Sequence, residues 1–324
     1  MKQVVKIFII ALALTAASCG SEAQKKSSTS GQNITSGQQA IFTPPTVPSH
    51  LATQQDQVDY LCEHFWDAYN FADSLTRNNQ QLTREIFANY AQILSYSSAD
   101  SATQSISKLL EKAINTNKEC FEKFTSLFED FLYNANSPYM NDELYISVLQ
   151  YITSSTKVDE IDKIRPQLQL EMALKNRVGT LATDFEYTLK SGQSAKMHNI
   201  EAEQTILYFN NPDCHDCERV KNYFEASQIF AELHSKGIVK ILSIFPDPTL
   251  DVWLKSTYPA IMINSYDKDE KINREQLYDL KAIPTLYLLD SGKRVVLKDA
   301  PIEAIEAYLL QNYKQYITVE KEQL

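Results

Sequence analysis

Ten residues constrain this chain more than any others: Tyr208-Phe209-Asn210-Asn211-Pro212-Asp213-Cys214-His215-Asp216-Cys217. The run from Ile206 to Phe209 is continuously apolar, the pattern of a strand buried on both faces. Asn-Asn-Pro-Asp breaks it as a turn. Two cysteines follow at C-x-x-C spacing. Beyond them Val220, Tyr223, Phe224, Ser227 and Phe230 share one side of a helical repeat, which predicts a helix running to about Lys236 and stopped by Gly237.

That order places Cys214 at the first turn of a helix. Free backbone N–H groups and the positive end of the dipole favour an anion there, and a thiolate would be that anion. A free thiol has a pKa of ~8.5, and such sites lower it by one to several units. Each unit is about 1.4 kcal/mol of preference for the thiolate. Cys217 lies one turn on and shares a helix face with Cys214, so it is placed to attack a mixed disulfide on Cys214 and release its partner. His215 and Asp216 are the candidate modulators. A protonated His215 would help the thiolate, whereas Asp213, Asp216 and Glu218 would oppose it, and the net sign is open. Two other uses of the pair stand beside redox chemistry: a lone structural Cys214–Cys217 disulfide, or half of a zinc site. The second needs about four ligands, and no further C-x-x-C or H-x₃₋₅-H occurs nearby. No metal or cofactor is expected.

Strand, turn, C-x-x-C and helix resemble the thioredoxin-type redox arrangement. Ala282-Ile283-Pro284-Thr285-Leu286-Tyr287-Leu288-Leu289-Asp290, followed by Ser291-Gly292-Lys293, resembles the strand of that superfamily that begins at a cis-proline. The resemblance implies that Pro284 packs beside the cysteines and that the backbone of Ile283 pairs with a substrate chain. It also implies Cys214–Cys217 as a redox-active disulfide. Val178-Gly179-Thr180-Leu181-Ala182-Thr183-Asp184-Phe185 is similar to the opening of the TlpA-like branch, thiol–disulfide proteins of the bacterial envelope, which usually has Pro where Thr183 stands. The likeness spans about 178–318. Two residues depart from it: Asp213 occupies the place of the usual aromatic residue before the first cysteine, and Tyr208 stands about where many thioredoxins carry a buried acid.

Upstream, residues 1–18 read as an export signal. Lys2 and Lys6 are its positive start, and Ile7 to Leu14 form an apolar middle too short to span a bilayer. Ala16-Ala17-Ser18 before Cys19 resembles the bacterial lipobox, which implies cleavage and lipidation at Cys19. More than one acyl chain makes such an anchor stable. Ordinary cleavage without lipid is the alternative. Residues 19–50 are poor in large apolar side chains, rich in Ser, Thr, Gln and Gly, and closed by Pro44, Pro45 and Pro48, so they are expected to form a flexible linker.

Residues 51–177 are expected to be all-helical. Stripes of helical period occur at Val58–Ala72, Leu82–Leu94, Ala102–Ala113, Phe121–Leu132 and Leu144–Ile152. A sixth runs through Val158, Ile161, Ile164, Leu168 and Met172, with Pro166 as a kink or boundary. Tyr60-Leu61-Cys62-Glu63-His64-Phe65-Trp66 and Asn136-Ser137-Pro138-Tyr139-Met140-Asn141-Asp142-Glu143-Leu144-Tyr145 resemble a helical domain of unknown function that precedes thioredoxin-like domains in bacterial lipoproteins. Cys62 and Cys120 lie on or beside apolar stripes as core thiols, and a disulfide between them is compatible with export.

The expected architecture is therefore two-domain α+β: an all-α N-terminal domain, then an α/β thioredoxin-like domain over 178–324. A net charge of −10 makes the chain a poor nucleic-acid binder. A peroxidase of the peroxiredoxin type would need P-x-x-x-[ST]-x-x-C, and Asn211 and Cys214 occupy the hydroxyl position before the two cysteines. The leading expectation is a lipid-anchored envelope thiol–disulfide oxidoreductase, facing the periplasm or on the outer membrane, and more reductase than oxidase. Its partners would be protein thiols and disulfides and a membrane electron donor. A non-enzymatic, partner-binding lipoprotein on a thioredoxin-like scaffold is the alternative.

Overall fold

Polar caps punctuate the N-terminal half. The computed structural model describes residues 42–72 and 79–318; the expected signal segment 1–18, the lipidation site Cys19 and the linker up to residue 41 lie outside the described residues. The helices are α1 (Gln54–His64), α2 (Gln80–Tyr96), α3 (Ala99–Thr116), α4 (Lys118–Phe128), α5 (Asp142–Ser154) and α6 (Glu160–Ala173). Thr53, Asn79, Ser98, Asn117 and Asn141 cap the first five, each side chain accepting an N–H of the first turn. Past its end α4 widens into one π-turn, Glu129–Tyr133. Phe65, Trp66, Phe87, Tyr90, Phe124 and Phe128 are buried together, with edge-on contacts such as Trp66 to Phe124 at 5.3 Å. Each such ring contributes about 1.5–3 kcal/mol by leaving water. Phe42, inside the stretch expected to be a linker, packs on this core, its ring 5.2 Å from that of Phe65.

The sixth stripe faces the wrong way. α6 passes through Pro166 without ending, and Ile161, Ile164 and Leu168 are exposed, Ile161 by 72 %. The helix is instead buried through Lys163, Leu170 and Ala173, about half a turn round from the predicted face. Lys163 places its stem inward while its ammonium reaches Glu160 at 2.7 Å.

The C-terminal half is one seven-stranded mixed sheet. Its strands are β1 (Glu186–Leu189), β2 (Ser194–Lys196), β3 (Gln204–Phe209), β4 (Val239–Phe245), β5 (Met262–Tyr266), β6 (Thr285–Asp290) and β7 (Val295–Lys298), in the order β2-β1-β5-β4-β3-β6-β7. Every residue of β3 is buried between parallel β4 and antiparallel β6. Successive side chains of β3 alternate, so Ile206 and Tyr208 enter one core and Leu207 and Phe209 the other. β5 was not foreseen from the sequence; it joins β4 in parallel and gives the β1–β2 hairpin its place through antiparallel pairing to β1.

The long helix expected after the cysteines is two: α7 (His215–Ala226) and α8 (Gln228–Ser235). Ser227 between them is extended, ends α7, and caps α8 by accepting the Phe230 N–H. Its hydroxyl and that of Tyr223 both donate to Glu306 of α11 (Ile302–Asn312). A short helix, α9 (Leu250–Lys255), buries Trp253, and one turn, α10 (Lys271–Arg274), precedes β6.

Residues from Phe42 onward form one compact unit. The two halves keep separate hydrophobic cores and meet through a cluster of charged side chains. Lys281 reaches Asp142 of α5 at 2.7 Å and Asp299 at 3.0 Å, and Lys298 reaches Asp142 at 2.7 Å. The Tyr133 hydroxyl donates to Asp279 at 3.2 Å. Among the described residues no helix is long and apolar enough to cross a membrane.

Candidate active site

The site forms where β3 runs out of apolar residues. Asn210 follows Phe209 and is 1 % exposed. Its amide donates to the Tyr208 carbonyl and the Ser243 hydroxyl, both at 2.9 Å, and its carbonyl accepts the Tyr258 O–H at 2.8 Å. A buried amide with every group paired pins the end of the strand. Asn211 builds the turn: its side-chain oxygen accepts the Asp213 N–H at 2.9 Å, its amide donates to Asp247 at 2.7 Å, and its backbone carbonyl accepts the Cys214 N–H at 3.1 Å.

Cys214 is the residue on which α7 begins. Its backbone is extended, at φ −94° and ψ 121°, and its Sγ accepts the Cys217 N–H at 3.2 Å. Sulfur occupies the place that a Ser or Asp oxygen takes in an ordinary cap, on the positive end of the helix. Opposite, the half-buried Cys214 thiol donates to the Ile283 carbonyl at 3.5 Å. The Ile283–Pro284 bond is cis, as the resemblance implied, and both residues are half-buried. The chain thus presents one sulfur between a helix start and the backbone of the loop that leads into β6.

Cys217 has a different environment, being 2 % exposed. Burial pushes its thiol well above the ordinary range, and Cys214 beside it adds to this. Tyr208 donates its hydroxyl to the Cys217 carbonyl at 2.6 Å and is itself pushed up by burial. A neutral hydroxyl holding the helix backbone therefore stands where a buried acid was the usual expectation. Cys214 and Cys217 are both free thiols here, where the resemblance implied a disulfide between them.

His215 and Asp216 point into solvent, 98 % and 73 % exposed, with 3.8 Å between Nδ1 and Oδ1. Any field they exert on Cys214 passes through water and is screened accordingly. Cys62 and Cys120 are fully buried in the helical core, and burial raises the Cys62 thiol. Among the described residues no group of three or more His, Cys, Asp or Glu side chains is arranged to hold a metal ion. Sequence reasoning missed Asn210 and Tyr258. The available signal was an amide directly following a continuous apolar run.

A family model described as a domain of unknown function, DUF5106, matches residues 18–176. A thioredoxin-like protein from Bacteroides caccae is 39 % identical; the match covers 84 % of this chain and 98 % of that one, with a TM-score of 0.80. The C-terminal domain of an uncharacterized protein from Bacteroides fragilis is 44 % identical over 41 % of this chain and 97 % of its own, with a TM-score of 0.41. The thioredoxin domain of a thiol-disulfide oxidoreductase from Bacteroides vulgatus is 16 % identical over 42 % of this chain and 96 % of its own, with a TM-score of 0.36. No curated protein is significantly similar. On the Bacteroides caccae match, which runs through both halves, the chain belongs to the thioredoxin-like proteins, its dithiol site following a helical domain of unknown function.

Proposed function

We propose that the chain is a thiol–disulfide oxidoreductase of the bacterial cell envelope that reduces protein disulfides. The observation carrying this reading is the placement of Cys214 Sγ, 3.2 Å from the Cys217 N–H at a helix start and 3.5 Å from the Ile283 carbonyl. The sulfur is half-exposed, aimed at a backbone that a bound peptide would share, and backed by a second sulfur one turn on.

Cys214 loses its proton to solvent and attacks one sulfur of a substrate disulfide. A Cys214–substrate S–S bond forms, the substrate S–S bond breaks, and one substrate thiolate leaves. Cys217, protonated until then, passes its proton to the substrate thiolate released in the first exchange and attacks Cys214. The Cys214–Cys217 bond forms and the second substrate thiolate leaves, so two electrons pass from protein to substrate. An envelope dithiol donor at the membrane then returns the site to the dithiol. Ile283 and Pro284 line the substrate side, and His215 and Asp216 tune encounter from the exposed rim. A lipid on Cys19 holds the protein to a membrane, facing the periplasm or on the outer membrane.

The test is insulin reduction by the full chain with a thiol donor. Cys214→Ser abolishes turnover, whereas Cys217→Ser accumulates mixed disulfides with envelope proteins, which mass spectrometry identifies. Two variants that behave like the parent would end this reading.

A further inference from the structure

The segment from Glu275 to Pro284, between α10 and β6, has no helix or strand of its own. Its own half holds it through the Gln276 and Leu277 N–H groups, which donate to Asn273 and Ile272, and through buried Tyr278, whose hydroxyl donates to the Thr183 carbonyl; the helical half adds a second set of contacts. Lys175 Nζ donates to the Gln276 carbonyl at 2.7 Å, and the buried Asn176 amide donates to the Leu277 carbonyl at 2.8 Å. Tyr133 donates to both oxygens of Asp279, and Asp142 receives Lys281. Four successive anchors thus descend the segment, and the last stands two residues before Ile283, whose carbonyl faces Cys214.

The last anchor is also the driest. The side chains of Lys281, Lys298, Asp142, Asp279 and Asp299 are between 6 % and 12 % exposed. Lys281 additionally lies 4.8 Å over the Tyr133 ring. Lys298, while paired with Asp142, directs its N–H groups to the carbonyls of Ala173 and Lys175 at the end of α6. Asp142 therefore joins the start of α5, the end of α6, the end of β7 and the loop before β6 at one point. Ion pairs removed from water to this degree are geometrically demanding, because a partner that shifts leaves a buried charge uncompensated.

We infer that the helical half positions the substrate-facing loop of the thiol site, with Asp142 and Tyr133 as positioning residues that hold 276–283 against Cys214. The inference rests on the thiol–disulfide reading for its functional consequence, but the anchoring itself does not. A loop with no internal hydrogen-bond ladder has little local stability of its own. Fixing it beforehand spares a docking peptide the entropy of ordering it. Chemistry at Cys214 alone, with a disulfide too small to reach the loop, has no use for this.

The experiment compares the parent with Asp142→Asn and with Tyr133→Phe, which removes only the hydroxyl, in the full chain. Hydrogen exchange across 276–283 accelerates about tenfold in Asp142→Asn and less in Tyr133→Phe, while exchange in β3 and β4 is unchanged. KM for a protein disulfide rises about tenfold with kcat nearly constant, and turnover of a small symmetric aryl disulfide stays within about twofold. Unchanged exchange over 276–283 in both variants overturns the inference. Equal losses on the protein and the small disulfide also overturn it, since they mean a general structural defect. A parent that reduces neither disulfide refutes the function proposed above and leaves the exchange measurement to decide the anchoring.

Discussion

Cys217 offers a quantitative test through pH. Its thiol is buried and its folded pKa lies well above that of an exposed thiol, whereas in the unfolded chain it titrates at ~8.5. Above that pH the unfolded chain has released this proton and the folded chain keeps it. The folded state then binds more protons, so stability falls as pH rises. The contribution is present in full below the unfolded pKa and is lost progressively from there toward the folded value. The slope is about 1.4 kcal/mol per pH unit, which makes the loss about 2 kcal/mol between pH 7 and pH 10. Cys217→Ala lacks this term. The buried Cys62 and the tyrosines raised by burial are common to both proteins and cancel. Urea unfolding of parent and variant is followed from pH 7 to pH 10 under a non-thiol reductant. The parent loses about 2 kcal/mol relative to Cys217→Ala over this span. A stability difference that is the same at both ends would refute the reasoning. It would mean that water or a local base reaches Cys217 in the folded protein.

Two further outcomes follow from the geometry. Cys214→Ala removes the acceptor of the Cys217 N–H and costs about 1 kcal/mol, whereas Cys214→Ser keeps a cap and is within about 0.5 kcal/mol of the parent, although neither turns over disulfides; equal stability of the two variants in denaturant titration would show that sulfur does not cap α7. On α6, exposed Ile164→Gln is neutral within about 0.5 kcal/mol, and on α5 Leu149→Ala, at a fully buried position, costs about 2–5 kcal/mol; a large loss at Ile164 by the same assay would restore the apolar face read from the sequence.

Much of the redox half was legible because its signals are local. An apolar run, a turn and C-x-x-C at a helix start define β3, Cys214 and α7 within a dozen residues, and the stretch around Pro284 carries its own signature. Four helical stripes were readable for the same reason, and the first, Val58–Ala72, held only as far as His64, because α1 ends there and Tyr69 and Ala72 lie beyond it in turns and loop. The sixth was misread because periodicity reports that a face exists, not which face the neighbours cover; Ile161, Ile164 and Leu168 have the spacing, but Ala173 and the stem of Lys163 have the contacts. β5 escaped notice because Ile261-Met262-Ile263 is too short a run to distinguish from loop. The break at Ser227 is one residue wide. Its capping chemistry is visible in the residue type, but the apolar repeat runs straight across it. The anchors on 276–283 were beyond reach altogether: Asp142 and Lys281 are 139 positions apart, and nothing local in either stretch names the other.

The cluster around Lys281 has a consequence for anyone working with fragments. The redox half contributes two cations and two anions to it, Lys281 and Lys298 with Asp279 and Asp299, and the helical half adds Asp142 as a single surplus anion. Cutting the chain between the halves would thus leave a charge-balanced, wettable surface rather than an apolar scar. A truncated C-terminal piece would carry that surface without Tyr133, Asp142, Lys175 and Asn176, the partners that reach 276–281 from the helical half. On the inference above its peptide-facing loop would be freed, and a weak affinity measured on it would describe the cut and not the protein.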